Sequence, residues 1–356
     1  MASASSRTAD VEAFILQHVP KHPGDIARVA AEHFGISRQA VNRHLKRLID
    51  EGKLVATGAT RNRQYAPAPL VVEVFELQVT PKLAEDVVWT ERVGPLLRGL
   101  PKNVEEICYH GFTEMLNNVI DHSGSPTVEV LITRSTAEVV MGIVDRGVGI
   151  FRKIARDLAL EDERHAILEL SKGKLTTDPT RHSGEGIFFT SQMFDEFALV
   201  SGTLCLLCDH GKSWLLDKKK PVFSGQANVY TDEGTVVRMM ISVFSPRTLV
   251  EVFDRYSDKD EDYGFTRTRV PVALARHGSE NLVSRSQAKR LLARFDRFKE
   301  VLLDFAGVEM IGQAFADEIF RVFRKQHPDV QITWAHAGPD VEKMIRRARS
   351  AGREQA

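Results

Sequence analysis

Glu114, Asn118 and His122 recur every four residues in a segment, 104–122, whose positions Val104, Ile107, Cys108, Met115, Leu116, Val119 and Ile120 are apolar. Four residues advance an α-helix by about 400°, so the three polar side chains share one face with a drift of about 40° per step. A carboxylate and an amide side by side on an otherwise apolar helix suit Mg2+-phosphate chemistry, which needs hard oxygen ligands and a water-orienting base. Further along, Asp145-Arg146-Gly147-Val148-Gly149-Ile150 sets a carboxylate beside a tight backbone turn. That carboxylate can accept from an exocyclic amine of adenine, while the glycines let the backbone approach base and ribose. Ser183-Gly184-Glu185-Gly186-Ile187 reads as a glycine-rich loop feeding a helix whose first N–H groups suit a triphosphate. Neither the P-loop nor the Rossmann spacing is present.

These residues need a frame of alternating elements. The pattern predicts a helix over 104–122, strands over 127–133 and 138–144, a polar stretch over 171–182, and a strand over 236–243 opened by Gly234-Thr235. In this order, helix motif, Asp-x-Gly-x-Gly, Gly-x-Gly and Gly-Thr resemble the GHKL ATP-binding superfamily over residues 103–244, closest to its anti-sigma or serine-kinase branch. The resemblance implies ATP and Mg as cofactors. Asn118 would hold Mg2+, and Glu114 would be the general base or water-orienting residue. Asp145 would bond the adenine amine beside Gly147, Gly149 and Ile150. Gly184, Gly186 and Ile187 would line the phosphate side under a mobile lid at 158–182. Thr235 would support the adenine through Asp145 or a water. The sequence departs from the family at Glu185, an acid where many members carry Lys or Arg; Lys172, Lys174 and Arg181 are expected to supply the positive charge.

The N-terminal stretch points to DNA. Helices are expected at 11–19, at 26–34 capped by Asp25, and at 38–50 capped by Ser37, followed by two short strands around Gly58. Two helices joined at Gly35-Ile36, then a hairpin, resemble the winged helix-turn-helix family. Opposite the apolar stripe Val41, Leu45, Leu48 and Ile49 lie Arg38, Gln39, Asn42, Arg43 and Lys46. Such side chains bond base edges and phosphates, with Ser37 at the helix start and Arg61 and Arg63 at the hairpin tip. Residues 7–70 hold ten Lys and Arg against six Asp and Glu. The alternative is a winged helix used for protein contact, with the same charges as a solvated face. Double-stranded DNA is the expected partner, and paired half-sites would make the chain a homodimer.

Beyond a polar joint at 256–262, strands at 270–274, 300–305 and 331–335 alternate with helices at 284–295, 313–323 and 340–349, the pattern of a parallel sheet covered by helices. Residues 301–318 resemble STAS-like domains. Where antagonists of that family carry a phosphorylated Ser, this chain has Gly312-Gln313, and Gln has no hydroxyl. Gln313, Asp317 and Glu318 form a contact surface for a protein partner, or the two acids complement the helix dipole.

Composition bounds the rest. Lys plus Arg and Asp plus Glu both number 48, which excludes a globally basic nucleic-acid coat. Three cysteines form no disulfide framework and point to a reducing compartment. Cys205-x-x-Cys208 sits on an expected strand, 197–209, where residues three apart face opposite sides, so core thiols are favoured over a metal pair. The polar N-terminus lacks a signal peptide's apolar core, and no stretch approaches the roughly 18 apolar residues of a membrane span, so a cytoplasmic chain without membrane contact is expected. The whole reads as multidomain α+β and α/β: a winged helix over 8–69, a GHKL (Bergerat-type) α/β sandwich over 70–250, a small STAS-like α/β domain over 264–349, and a flexible tail over 350–356. Ala66-Pro67-Ala68-Pro69 reads as a linker or domain edge between the first two. Two functions fit: a DNA-binding transcriptional regulator whose GHKL module senses or hydrolyses Mg-ATP, or an anti-sigma-like protein serine/threonine kinase in a partner-switching pathway.

Overall fold

The computed structural model describes residues 4–175, 184–209, 212–217, 233–258, 264–276 and 280–351. Three helices, α1 (Ala4–His18), α2 (Ile26–Phe34) and α3 (Arg38–Asp50), precede an antiparallel ribbon of β1 (Leu54–Thr57) and β2 (Gln64–Pro67). Val41, Leu45 and Leu48, spaced four and three apart, form one stripe that buries α3 against Ile15, Val19, Ile26 and Ala30. Ser37 caps α3, its Oγ accepting from the Ala40 N–H at 3.2 Å. Asp25 stands at the start of α2 but makes no side-chain cap; its carboxylate instead accepts from Arg28 and His22.

Of the two readings of 66–69, linker or domain edge, the structure shows the edge. Pro67 ends β2 and Pro69 begins β3 (Pro69–Gln78), so one residue, Ala68, separates wing from central sheet. Ala68 is buried; its N–H donates to the Lys53 carbonyl at 3.0 Å and its own carbonyl accepts from the Thr136 N–H. Thr136 Oγ1 donates to the same Lys53 carbonyl at 2.7 Å. The prolines fit because each lies on a strand with an open edge, where a missing N–H leaves no ladder bond unmade.

After two short helices, α4 (Glu85–Val88) and α5 (Gly94–Leu97), comes α6 (Lys102–Asn118), extended by a π-helical turn, Val119–Ser123. Then follow β4 (Thr127–Ser135), β5 (Glu138–Asp145), α7 (Ile150–Asp157), α8 (Glu163–Lys172), α9 (Gly186–Met193), β6 (Glu196–Ser201), β7 (Leu204–Asp209), β8 (Lys212–Asp217) and β9 (Thr235–Ser242). Among the described residues seven strands make one antiparallel sheet, ordered β3-β4-β5-β9-β6-β7-β8. α6 lies so close to it that a Cβ on Gly111 would press into the Phe194 ring and the Met239 sulfur. The stretch expected as one strand at 197–209 is a hairpin turning at Gly202-Thr203. Cys208 belongs to the main core and Cys205 to a smaller cluster with Val200 and Val236, so their opposite facing holds.

His110, on α6, packs edge-on against Phe253, and its Nε2 has no hydrogen-bond partner. Burial pushes its pKa down to about 4. The unfolded chain takes up this proton below about 6.5 and the folded chain only near 4, so the stability it confers is present above 6.5 and lost as pH falls through that window. Relative to His110→Gln, the wild type should lose about 3 kcal/mol between pH 7 and pH 4, measured by urea denaturation at each pH.

The C-terminal part runs α10 (Leu249–Tyr256), β10 (Arg267–Pro271), α11 (Arg285–Leu292), β11 (Glu300–Asp304), α12 (Gln313–Asp317) with a π-helical continuation Glu318–Phe323, α13 (Arg324–Gln326), β12 (Gln331–Ala335) and α14 (Pro339–Ala351). The strands are parallel in the order β10-β11-β12. The strand expected at 270–274 sits earlier, because Pro271 ends it and a 3-10 turn, Val272–Ala275, follows. The expected joint does not break the core. Phe265 packs against Phe188 and Phe189 of α9 on one side and Phe298 on the other, and one buried cluster spans both sheets. Residues 259–262 of that joint, like 352–356 of the expected tail, lie outside the described residues. α14 runs past Ile345 because Ile345 and Ala348 are buried. Among the described residues no helix is long and apolar enough to cross a membrane.

Candidate functional site

A cavity of about 280 Å3 opens between α6, the facing ends of β5 and β9, and the starts of α7 and α9. Glu114, Asn118 and His122 line it from α6 and its π-helical turn. Asp145 and Thr235 line it from the strands, Gly149 and Ile150 from the start of α7, and Gly184, Gly186 and Ile187 from the start of α9. Gly147 does not line it, but it shapes the wall. A Cβ there would run into the Ser123 carbonyl, which accepts from the Val148 N–H at 2.9 Å. The π-helical turn brings that carbonyl into place; such turns recur at functional sites.

Asp145 is buried at the strand end. Burial raises its pKa, opposed by hydrogen bonds from the Gly147 N–H, at 2.8 Å to Oδ1, and from Thr235. Thr235 faces Asp145 across β5 and β9 and accepts from the Ile150 N–H at 3.1 Å, which ties the carboxylate to the first residue of α7. The Asn118 amide nitrogen donates to the Glu114 carbonyl at 2.9 Å, so its oxygen is the group able to ligate a cation. The Glu114 carboxylate lies against Gly186, where any Cβ would collide with it. Burial and the nearby Glu114 raise the pKa of Glu185, and Lys174 opposes them.

Lys172 and Lys174 do not serve the cavity as expected. The Lys172 side chain is fully buried, bonded to Glu169 at 2.6 Å and to the Arg290 and Ala293 carbonyls at 3.1 and 2.9 Å. Lys174 donates to the Arg297 carbonyl at 2.9 Å and stands over the Phe265 and Phe298 rings, reaching the cavity only through its attraction to Glu185. Arg181 and Ser183, with residues 176–182 of the expected lid, lie outside the described residues. Lys153 is the cation that sequence reasoning missed: it lines the cavity from α7 and pairs with Asp157 at 3.1 Å. Its only signal was a lysine one turn beyond the second glycine motif residue.

On α3, Ser37, Arg38, Gln39, Asn42, Arg43 and Lys46 are all exposed. Arg47, on the edge of that face, is held by Glu12, which also accepts from His44 at 3.1 Å. Arg63 is exposed beside the wing, its guanidinium over the Tyr65 ring; the Arg61 side chain lies outside the described residues. In the C-terminal part Gln313 is exposed, but Asp317 is held by Arg321 at 2.6 Å and Glu318 is buried, so the three do not form a common exposed surface.

Residues 28–55, from α2 to β1, match the family model described as winged helix-turn-helix DNA-binding. Residues 287–342 match that of a STAS-like domain of unknown function. No curated protein matches the chain. The chain therefore carries a winged helix-turn-helix on one side of the cavity-bearing antiparallel sheet and a STAS-like parallel α/β region on the other.

Proposed function

We propose that this chain is an ATP-binding regulator, which reads double-stranded DNA through α3 and its wing and holds Mg-ATP in the central cavity. What supports the nucleotide is that residues named by the GHKL resemblance, drawn from segments more than a hundred residues apart, line one cavity. The donor set fits the ligand. A buried carboxylate backed by Thr235 can receive an adenine amine, and the missing side chain at Gly186 lets the Glu114 carboxylate stand against the start of α9. Mg2+ is held by one or two protein oxygens together with substrate phosphates, and the Asn118 amide oxygen is one such donor. Bound ATP supplies the phosphoanhydride bonds. Asn118 would contribute a metal oxygen, Lys153 a cation beside the phosphates, and Glu114 a carboxylate to orient a nucleophile.

Calorimetric titration of Mg-ATP tests the cavity, and DNA affinity with and without Mg-ATP tests the coupling. Equal DNA affinity under conditions where ATP binds would sink the regulator reading. Lys46→Ala should weaken DNA binding evenly across sequences and lower the salt slope by about 1, as expected for a phosphate contact. The position of Glu114 in the cavity favours a second reading, a protein serine/threonine kinase of the anti-sigma type. A partner phosphorylated by this chain, but not by Glu114→Ala, would select it.

A further inference from the structure

β12 pairs with β11 on one side, and among the described residues no strand pairs with its other side. The bonds already made show which backbone groups remain. The Gln331 N–H donates to the Lys299 carbonyl at 2.7 Å, and the Ala335 carbonyl accepts from the Phe305 N–H at 3.0 Å. Backbone groups of successive strand residues point to alternate sides, so those of Ile332 and Trp334 face away from β11. Such a row of N–H and C=O groups is a template for one more strand. Exposed edges are commonly guarded by a charge or a proline within the strand, and β12, Gln-Ile-Thr-Trp-Ala, contains neither.

An open groove of about 620 Å3 is lined by the four successive residues 331–334, so it follows the edge of β12 and not one face of the sheet. Arg324 of α13 and Arg349 of α14 line it too; both are exposed, and no acid lines it among the described residues. Trp334 is half-buried and held in place, with Phe320 edge-on to its ring at 5.5 Å and the Arg349 guanidinium 5.2 Å from its centre. A second copy of this chain suits the edge poorly, because pairing β12 with itself would bring like charges together. We propose that β12 takes up an extended acidic segment of a partner protein as a fourth strand. The partner's main chain bonds the open groups of Ile332 and Trp334, and its carboxylates meet Arg324 and Arg349.

The probe is a pool of fluorescein-labelled, amidated heptapeptides that alternate Glu with Val, Thr or Tyr, and the control pool has Lys for Glu. Fluorescence anisotropy with the full chain should show the Glu pool bound about tenfold more tightly, which is what two exposed charge contacts supply. That margin should shrink as salt rises. Arg324→Glu combined with Arg349→Glu, both at exposed positions, should reverse the preference, a gain that a misfolded chain would not show. N-methylation of every second peptide residue blocks one edge of an extended chain. Methylating one alternate set should abolish binding, and methylating the other should leave it. Equal binding of the two methylated forms would mean charge capture without a strand and would overturn the proposal. Equal affinity for the Glu and Lys pools would overturn it as well, as would a Glu preference that survives the double reversal. A dimer in sedimentation velocity that excludes the peptide would give the edge to a second copy instead.

Discussion

Mg-ATP should bind the Asp145→Asn protein about 100-fold more weakly than the wild type, a loss of about 3 kcal/mol. The argument is one of donors. Oδ1 of Asp145 already accepts from the Gly147 N–H, so the Asn carbonyl would take that place. Its NH2 would then stand where Oδ2 was, facing the Thr235 side chain and the adenine amine. Two donors would meet where a donor met a charged acceptor, and the cost includes desolvating both. The substitution is nearly isosteric, so urea denaturation should show the folded state changed by under about 1 kcal/mol. Calorimetry on the folded variant therefore reads the adenine contact itself. Unchanged affinity would mean that this carboxylate does not meet the base.

Glu169→Ala should cost about 3–5 kcal/mol in folding stability. Glu169 is a buried anion between two cations: Lys172 at 2.6 Å and the Arg294 guanidinium at 3.1 Å. Its removal leaves both charges buried without a counterion. Lys172→Met should cost less, because Glu169 keeps Arg294 while two carbonyl acceptors, on Arg290 and Ala293, lose a donor. Glu169→Leu combined with Lys172→Met should recover part of the loss, since a buried pair exchanged whole for apolar groups is often near neutral. Urea midpoints for the three proteins decide it. A cost below 1 kcal/mol for Glu169→Ala would show that water reaches this cluster.

The difference between these two sites explains what the sequence made legible. Asp145, Gly149 and Thr235 were readable because strand-ending acids and glycines announce local geometry, and the pairing of β5 with β9 brings them to one cavity. α3 was readable because Val41, Leu45 and Leu48 fall on one stripe and push the polar residues outward. Lys172 and Lys174 were misread because proximity along the chain to a glycine loop says nothing of acceptors more than a hundred residues away. The Arg290, Ala293 and Arg297 carbonyls capture both amines. The joint near 256–262 misled for a related reason. Its polarity was visible, but the packing of Phe265 between α9 and Phe298 was not. The four-residue repeat predicted a uniform helix to His122, whereas the last turn widens to π so that the Ser123 carbonyl reaches the Val148 N–H.

Only Ala68 stands between wing and sheet, and both its backbone groups are held, so the winged helix has no swivel. A reader on a loose tether accepts half-sites at many separations, because its linker absorbs the change. A reader built onto a sheet edge carries a fixed angular phase. Were two copies to grip one operator, a spacer lengthened by about 5 base pairs would turn the second half-site to the far side of the duplex. No slack in either protomer could follow it there, so operator spacing would be selected as strictly as operator sequence.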